Sequence, residues 1–115
     1  MEFFPTIDAE AVIDKNGAVT IGGTVRCTMA TTADLVASVT QSSGSSKNVA
    51  KSEYYLSLPC GPVATRWTAT SGSGPVKFTL GPAHVDVQAH ANDPVFYLVN
   101  YKLITGDMHV DNGKK

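Results

Sequence analysis

The most regular stretch of the chain runs from Ala83 to Ala91, where Ala83, Val85, Val87, Ala89 and Ala91 alternate with His84, Asp86, Gln88 and His90. A period of two places the apolar set on one face of a strand and the polar set on the other. Val12–Asp14, Val19–Ile21 and Thr24–Arg26 carry the same alternation. Asn16-Gly17 is a turn signal that makes Ala9–Asp14 and Ala18–Cys27 neighbouring strands, unless they belong to different sheets. Gly22-Gly23 predicts a bulge or bend in the second of them, because glycine weakens an uninterrupted strand.

Leu35–Gln41 predicts a third strand, with Leu35, Ala37 and Val39 on one face and Val36, Ser38 and Thr40 on the other. Lys47–Glu53 continued by Tyr54–Leu58 predicts a fourth. Val63–Thr70 predicts a fifth, with Val63, Thr65, Trp67 and Ala69 on one side and Trp67 as the core anchor. Val76–Leu80 reads as a short edge element, and Val95–Thr105 as the last strand. In that strand either Phe96, Leu98, Asn100 and Lys102 share a face, or a bulge near Asn100 changes which face is buried. Ser42–Ser46 and Ser71–Pro75 read as loops, and Pro59 and Pro62 bound a rigid loop around Cys60 and Gly61. No segment carries a helical stripe longer than one or two turns. The pattern predicts an all-β fold, an immunoglobulin-like β-sandwich of seven to eight antiparallel strands. An up-and-down barrel is the alternative, disfavoured by the few and small inward residues.

A chain of 115 residues fits a single domain spanning 1–115, with a core over about 7–105 and a flexible C-terminal tail over 106–115. Only 17% of its residues are charged, below the roughly 25% usual in soluble proteins. Ser and Thr carry the surface polarity instead, which points to a secreted or cell-surface protein. The net charge of -1 provides no concentrated basic footprint, so nucleic acid is not an expected partner. No apolar run approaches the roughly 20 residues of a membrane-spanning helix. Met1–Pro5 lacks the charged start and long apolar segment of a signal peptide, so export implies a leader already removed.

Cys27 closes one strand-like run and Cys60 follows another. Their placement predicts one structural disulfide, closing a loop of roughly 34 residues and contributing about 3–4 kcal/mol in the chain-entropy model. The bridge departs from the immunoglobulin pattern, since Cys60 precedes Trp67, and is expected to tie a strand end to a loop at one end of the sandwich. The other readings are reduced structural cysteines in a cytosolic protein, a redox pair, or thiolate ligands. Redox motifs keep their cysteines two residues apart, and zinc takes four ligands.

Few side chains suggest chemistry. His84 and Asp86 lie at i and i+2 on one strand face, close enough to share a metal, while His90 is about 20 Å further along. Asp107, His109 and Asp111 repeat the pattern but spread over about 14 Å if extended. Two ligands make a poor site, so solvated polar faces and no bound metal or cofactor are expected. There is no Gly-x-Ser-x-Gly elbow, phosphate loop, His-Glu-x-x-His motif or calcium loop, and no enzyme is expected. The tyrosines are better candidates for a contact surface. In Tyr54-Tyr55, and in Phe96-Tyr97 with Tyr101 on the last strand, one member of each adjacent pair must point away from the core unless a loop covers it. Phe3-Phe4-Pro5 is either a strand lead-in or an exposed arm.

The run Gly17–Cys27, then Leu35–Gln41, Leu58-Pro-Cys60, Arg66-Trp67 and Phe78–Ala89 resembles a family of small secreted actinobacterial proteins, the domain of unknown function 6299. Thr24, Arg26, Cys27, Cys60, Trp67, Gly81, Ala83 and Val85 carry the resemblance, which covers roughly Ile7 to Thr105. It implies a leader followed by one β-sandwich and brings no catalytic or ligand residues. The expected role is a non-catalytic secreted or cell-envelope module binding a protein. One alternative is a homo-oligomer assembled through an uncovered edge such as Val95–Thr105. Another is a secreted hydrolase or enzyme inhibitor acting through its loops. Sugar and small-molecule ligands stay open.

Overall fold

The computed structural model describes residues 1–42, 49–71 and 78–112, and the side chains of all of these except Val49 and Ser71. Its elements are all strands: β1 (Phe3–Pro5), β2 (Glu10–Ile13), β3 (Val19–Cys27), β4 (Thr31–Ser42), β5 (Val49–Cys60), β6 (Thr65–Ser71), β7 (Gly81–Asn92) and β8 (Val99–Asp111). The expected loops at Ser42–Ser46 and Ser71–Pro75 lie outside the described residues, save Ser42 and Ser71, which end β4 and β6. So do Val76 and Lys77 of the expected edge element, and Phe78–Leu80 form no strand.

The strands run in the order β1-β3-β2-β8-β7-β4-β5, with β6 on the free side of β3. Two groups result, β1/β2–β3–β6 and β8–β7–β4–β5, joined where β2 pairs with β8. That pairing is parallel, the one departure from an antiparallel arrangement among the described strands. The groups face each other across the core. The Tyr54 hydroxyl of β5 donates to the Val19 carbonyl of β3 at 2.9 Å, and the Cys27–Cys60 bond joins the ends of the same two strands. Described residues of β5 and β6 do not pair, so the sheet is open rather than a closed barrel. An all-β, sandwich-like fold is the result, consistent with the immunoglobulin-like expectation.

The inward positions follow from the alternation. Ala83, Val85, Val87, Ala89 and Ala91 are buried, as are Leu35, Ala37 and Val39, which stand opposite them on β4. Trp67 is buried, and its Nε1 is the one buried side-chain polar atom without a partner among the described residues. Val63, expected beside it, precedes β6 and is exposed. Phe3 is in the core, while Phe4 stacks its ring 4.4 Å beneath the Arg26 guanidinium, so the first aromatics form a strand rather than a free arm.

Three expectations are corrected by the backbone. Gly22-Gly23 make no bulge against β6, since the register from Val19↔Ser71 to Val25↔Thr65 is unbroken. The irregularity sits in the neighbouring chain. Phe3–Pro5 pair with Val25–Cys27 in one register, Val12 and Ile13 pair with Thr20 and Val19 two residues out of step, and β2 swings across to β8. Thr6 and Ile7 at this crossing lie where a Cβ on Gly23 would be, so a side chain there meets backbone that cannot move aside. Second, Cys60 is the last residue of β5 rather than part of a loop, and the Cys27 amide donates to the Gly61 carbonyl. Third, Gly106–Asp111, expected in a flexible tail, belong to β8, with Met108 and Val110 buried. The Asn16-Gly17 turn forms as expected. Gly17 has φ 86°, and the Asp14 carboxylate accepts from the Asn16 and Ala18 amides.

Candidate partner-binding surface

The outer face of β5–β4–β7–β8 is fixed by register. One row across it reads Tyr55, Val36, Gln88, Leu103, and the next reads Ser57, Asp34, His90, Tyr101. At the end of the strands Pro59 stands opposite Thr32 and Asn92 opposite Val99. Three strand spacings separate Tyr55 from Leu103, about 14 Å. Tyr55, Val36, Leu103, Tyr101 and Val99 are all exposed. The apolar surface continues past Val99 into the β7–β8 connection, where Val95, Phe96, Tyr97 and Leu98 are 54–84% exposed.

This connection is a built structure. Asp93 is buried, and its Oδ1 accepts from the amides of Val95 and Phe96. Its amide donates to the Leu98 carbonyl, and its carbonyl accepts from the Tyr97 amide. Tyr97 takes φ 57°, the left-handed conformation that lets the chain reverse with its ring outward. Asp93 Oδ2 also meets the Met1 ammonium at 2.9 Å. That ammonium, followed by the Phe96 and Val95 amides, depresses the Asp93 carboxyl to about 2. A buried carboxylate thus holds four consecutive apolar side chains in water. The expected strand Val95–Thr105 is therefore displaced: Val95–Leu98 form the tip, and β8 starts at Val99 without a bulge at Asn100.

Tyr54 leaves the candidate set, because alternation turns it into the core, where its hydroxyl is satisfied by Val19. Tyr55 and Tyr101 stand on the outer face and Tyr97 on the tip. The Tyr55 hydroxyl donates to Glu53, which raises the tyrosine's pKa and, ahead of Lys51, lowers that of the carboxyl.

The polar residues of the same face form short chains. Thr105 donates to Asp86 Oδ1 at 2.6 Å, the main cause of that carboxyl's lowered pKa, and His84 Nε2 lies 3.2 Å from the same oxygen. Asp107 adds a contact to His84 Nδ1 at 3.7 Å, since Asp107 is its cross-strand partner. His109 is exposed and Asp111 lies opposite Val12 of β2, so Asp107, His109 and Asp111 do not converge. Among the described residues no three His, Cys, Asp or Glu side chains are arranged to hold a metal ion. Ser57, Asp34 and His90 also adjoin, but Asp34 stands between the other two, accepting from Ser57 and meeting His90 Nε2 at 3.2 Å. With the carboxylate in the middle, the imidazole does not touch the hydroxyl, so the order is wrong for activating a nucleophile.

A second surface feature follows from the β1–β2 crossing. A groove of about 660 Å³ runs between Asp8–Glu10, the outer side of β3 and β6, and Asp111. The Arg66 guanidinium makes a bidentate pair with Asp8 across Gly22, which lowers the Asp8 pKa and raises that of Arg66. Among the described residues lining the groove, Arg66 is the one cation, and the pair engages it.

The tyrosines are legible in the sequence as contact candidates, whereas the tip reads there as strand. The signal was present in Asn92-Asp93-Pro94, a turn-initiating run immediately ahead of the apolar residues. No helix in the described residues is long and apolar enough to cross a membrane. No curated protein matches the chain. A family model does match, over residues 4–99, taking in β1 through β7 and the tip and reaching only the first residue of β8. The chain belongs to the family of unknown function DUF6299.

Proposed function

We propose that this protein is a non-catalytic binding module of the cell exterior or envelope, and that it grips a protein partner with the Val95–Leu98 tip and the adjoining Tyr101–Leu103 face. The observation that carries this reading is the tip itself. Four consecutive apolar residues are held outward by a buried aspartate. A convex, pre-ordered aromatic loop loses little entropy on docking, and suits insertion into a cleft of a partner. Aromatic residues are enriched at the cores of protein interfaces. The extracellular setting is supported by the buried Cys27–Cys60 bond, of a kind that persists outside the reducing cytosol. The Ser57–Asp34–His90 order weighs against hydrolysis at that cluster.

The test is affinity capture from the envelope and medium of the source organism. The native chain is compared with Phe96→Ser and with Tyr97→Asn, the latter chosen because asparagine tolerates the left-handed conformation. A protein retained by the native chain and lost from both variants supports the reading. Retention unchanged in both removes the tip from the binding surface.

A further inference from the structure

We infer that the open edge of β8 pairs with the same edge of a second copy of this chain, giving a two-fold antiparallel dimer with one continuous sheet. β8 is paired with β7 from Val99 to Val110, but on its other side β2 covers only His109–Asp111. The His109 amide donates to Ala9 across that side, which fixes the parity of the strand. Every second residue back from His109 therefore aims its N–H and C=O at the open edge. From Asp107 to Val99 no described strand meets them. Unpaired edge groups of this kind are a template for another strand.

The other sheet margin is defended and this one is not. β5 carries Lys51 and Glu53 on its outer face and Pro59 near its end. β8 has no proline and an unbroken register, and Val99, Tyr101 and Leu103 are each more than half exposed along the open part. The edge is also complementary to itself. A two-fold axis at Tyr101 sets Tyr101 opposite Tyr101, Val99 opposite Leu103, and Lys102 opposite Asn100, so no like charges meet. A net charge of -1 adds almost no repulsion between copies. Self-pairing uses the backbone of β8, whereas the proposed partner site is centred on the side chains of the tip, so each reading can fail without the other.

The experiment measures the mass of the intact, disulfide-bonded chain by sedimentation equilibrium from micromolar to millimolar concentration, with amide exchange followed on the same samples. The native chain is expected to move from 12.1 kDa toward twice that mass. The amides of Tyr101, Leu103 and Thr105 should exchange at least about ten-fold more slowly as it does so. Leu103→Pro removes an edge-facing amide while sparing the ladder to β7, and should stay at the single-chain mass. Should that variant misfold, Tyr101→Cys gives an independent reading, because a dimer centred there crosslinks on oxidation. A native chain that remains at 12.1 kDa throughout overturns the inference, and so does a dimer whose edge amides stay fast.

Discussion

In the second half of β8, Met108 and Val110 turn into the core while Asp107 and His109 face water. In its first half the apolar set changes sides: Val99, Tyr101 and Leu103 face water, while half-buried Asn100 and exposed Lys102 stand on the side that Met108 and Val110 share. One strand in one register along β7 thus follows opposite rules at its two ends. The partner strand does not invert, since Ala83 through Ala91 keep small apolar residues inward along its whole length. The difference is therefore not imposed by the sheet. Natural chains satisfy packing rules nearly everywhere, and the places that break them without strain in the backbone are where a contact outside the domain is to be sought.

The largest effect should come from the half that obeys packing. Met108→Ala removes a buried side chain opposite Ala83 and should cost about 2–5 kcal/mol, read as a lower urea midpoint with unchanged slope. Breaking the crosslink with Cys27→Ala and Cys60→Ala should cost about 3–4 kcal/mol. This second change acts at the opposite end of the sandwich from Met108, so the two penalties should add. A near-zero cost for Met108→Ala would mean that Gly106–Asp111 is a loose tail after all, and that β8 has one polarity rather than two.

Much of this was legible in the sequence, and the misses share a cause. Alternation is read one strand at a time, so Ala83–Ala91, Leu35–Val39 and Trp67 were placed correctly from local pattern alone. The end of β8 could not be read that way, because Asp107–Val110 pair with the start of β7 and His109–Asp111 also pair with residues about a hundred positions earlier in the chain. Gly22-Gly23 suggested an irregular β3, but the irregular backbone is that of residues 6–11, which the glycines admit. Of the four tyrosines, Tyr54 and Tyr55 are separable only by knowing which face of β5 is inward, and adjacent tyrosines carry no such information. The tip was read as strand because Val, Phe, Tyr and Leu are strand formers, and the Asp93 hydrogen bonds override that propensity.

The boundary between tip and strand can be probed through Asp93. Its carboxyl is depressed to about 2, so the tip stabilisation it provides is complete above the ordinary carboxylate value near 3.8 and is lost as pH falls through about 2. Asp93→Asn removes the charge that the ammonium and amides favour. Its tip should exchange the Val95 and Phe96 amides faster at neutral pH, and show none of the native chain's further loosening in acid. Equal exchange in both proteins from neutral pH down to 2 would show the tip to be held by other contacts.

The smallest effect on stability is expected where polarity is inverted, and this gives the sharpest test of the comparison. Tyr101→Ser and Leu103→Ser remove side chains that are 56% and 59% exposed, so each should change unfolding free energy by no more than about 0.5 kcal/mol. If the residues served the fold, their loss would lower the urea midpoint as Met108→Ala does. If they serve a contact, stability stays level while capture of the partner, or growth in mass with concentration, falls. With stability level, the aromatic and two aliphatic side chains held in water bring nothing to the folding of the chain, and a contact outside the domain is where their use is to be sought.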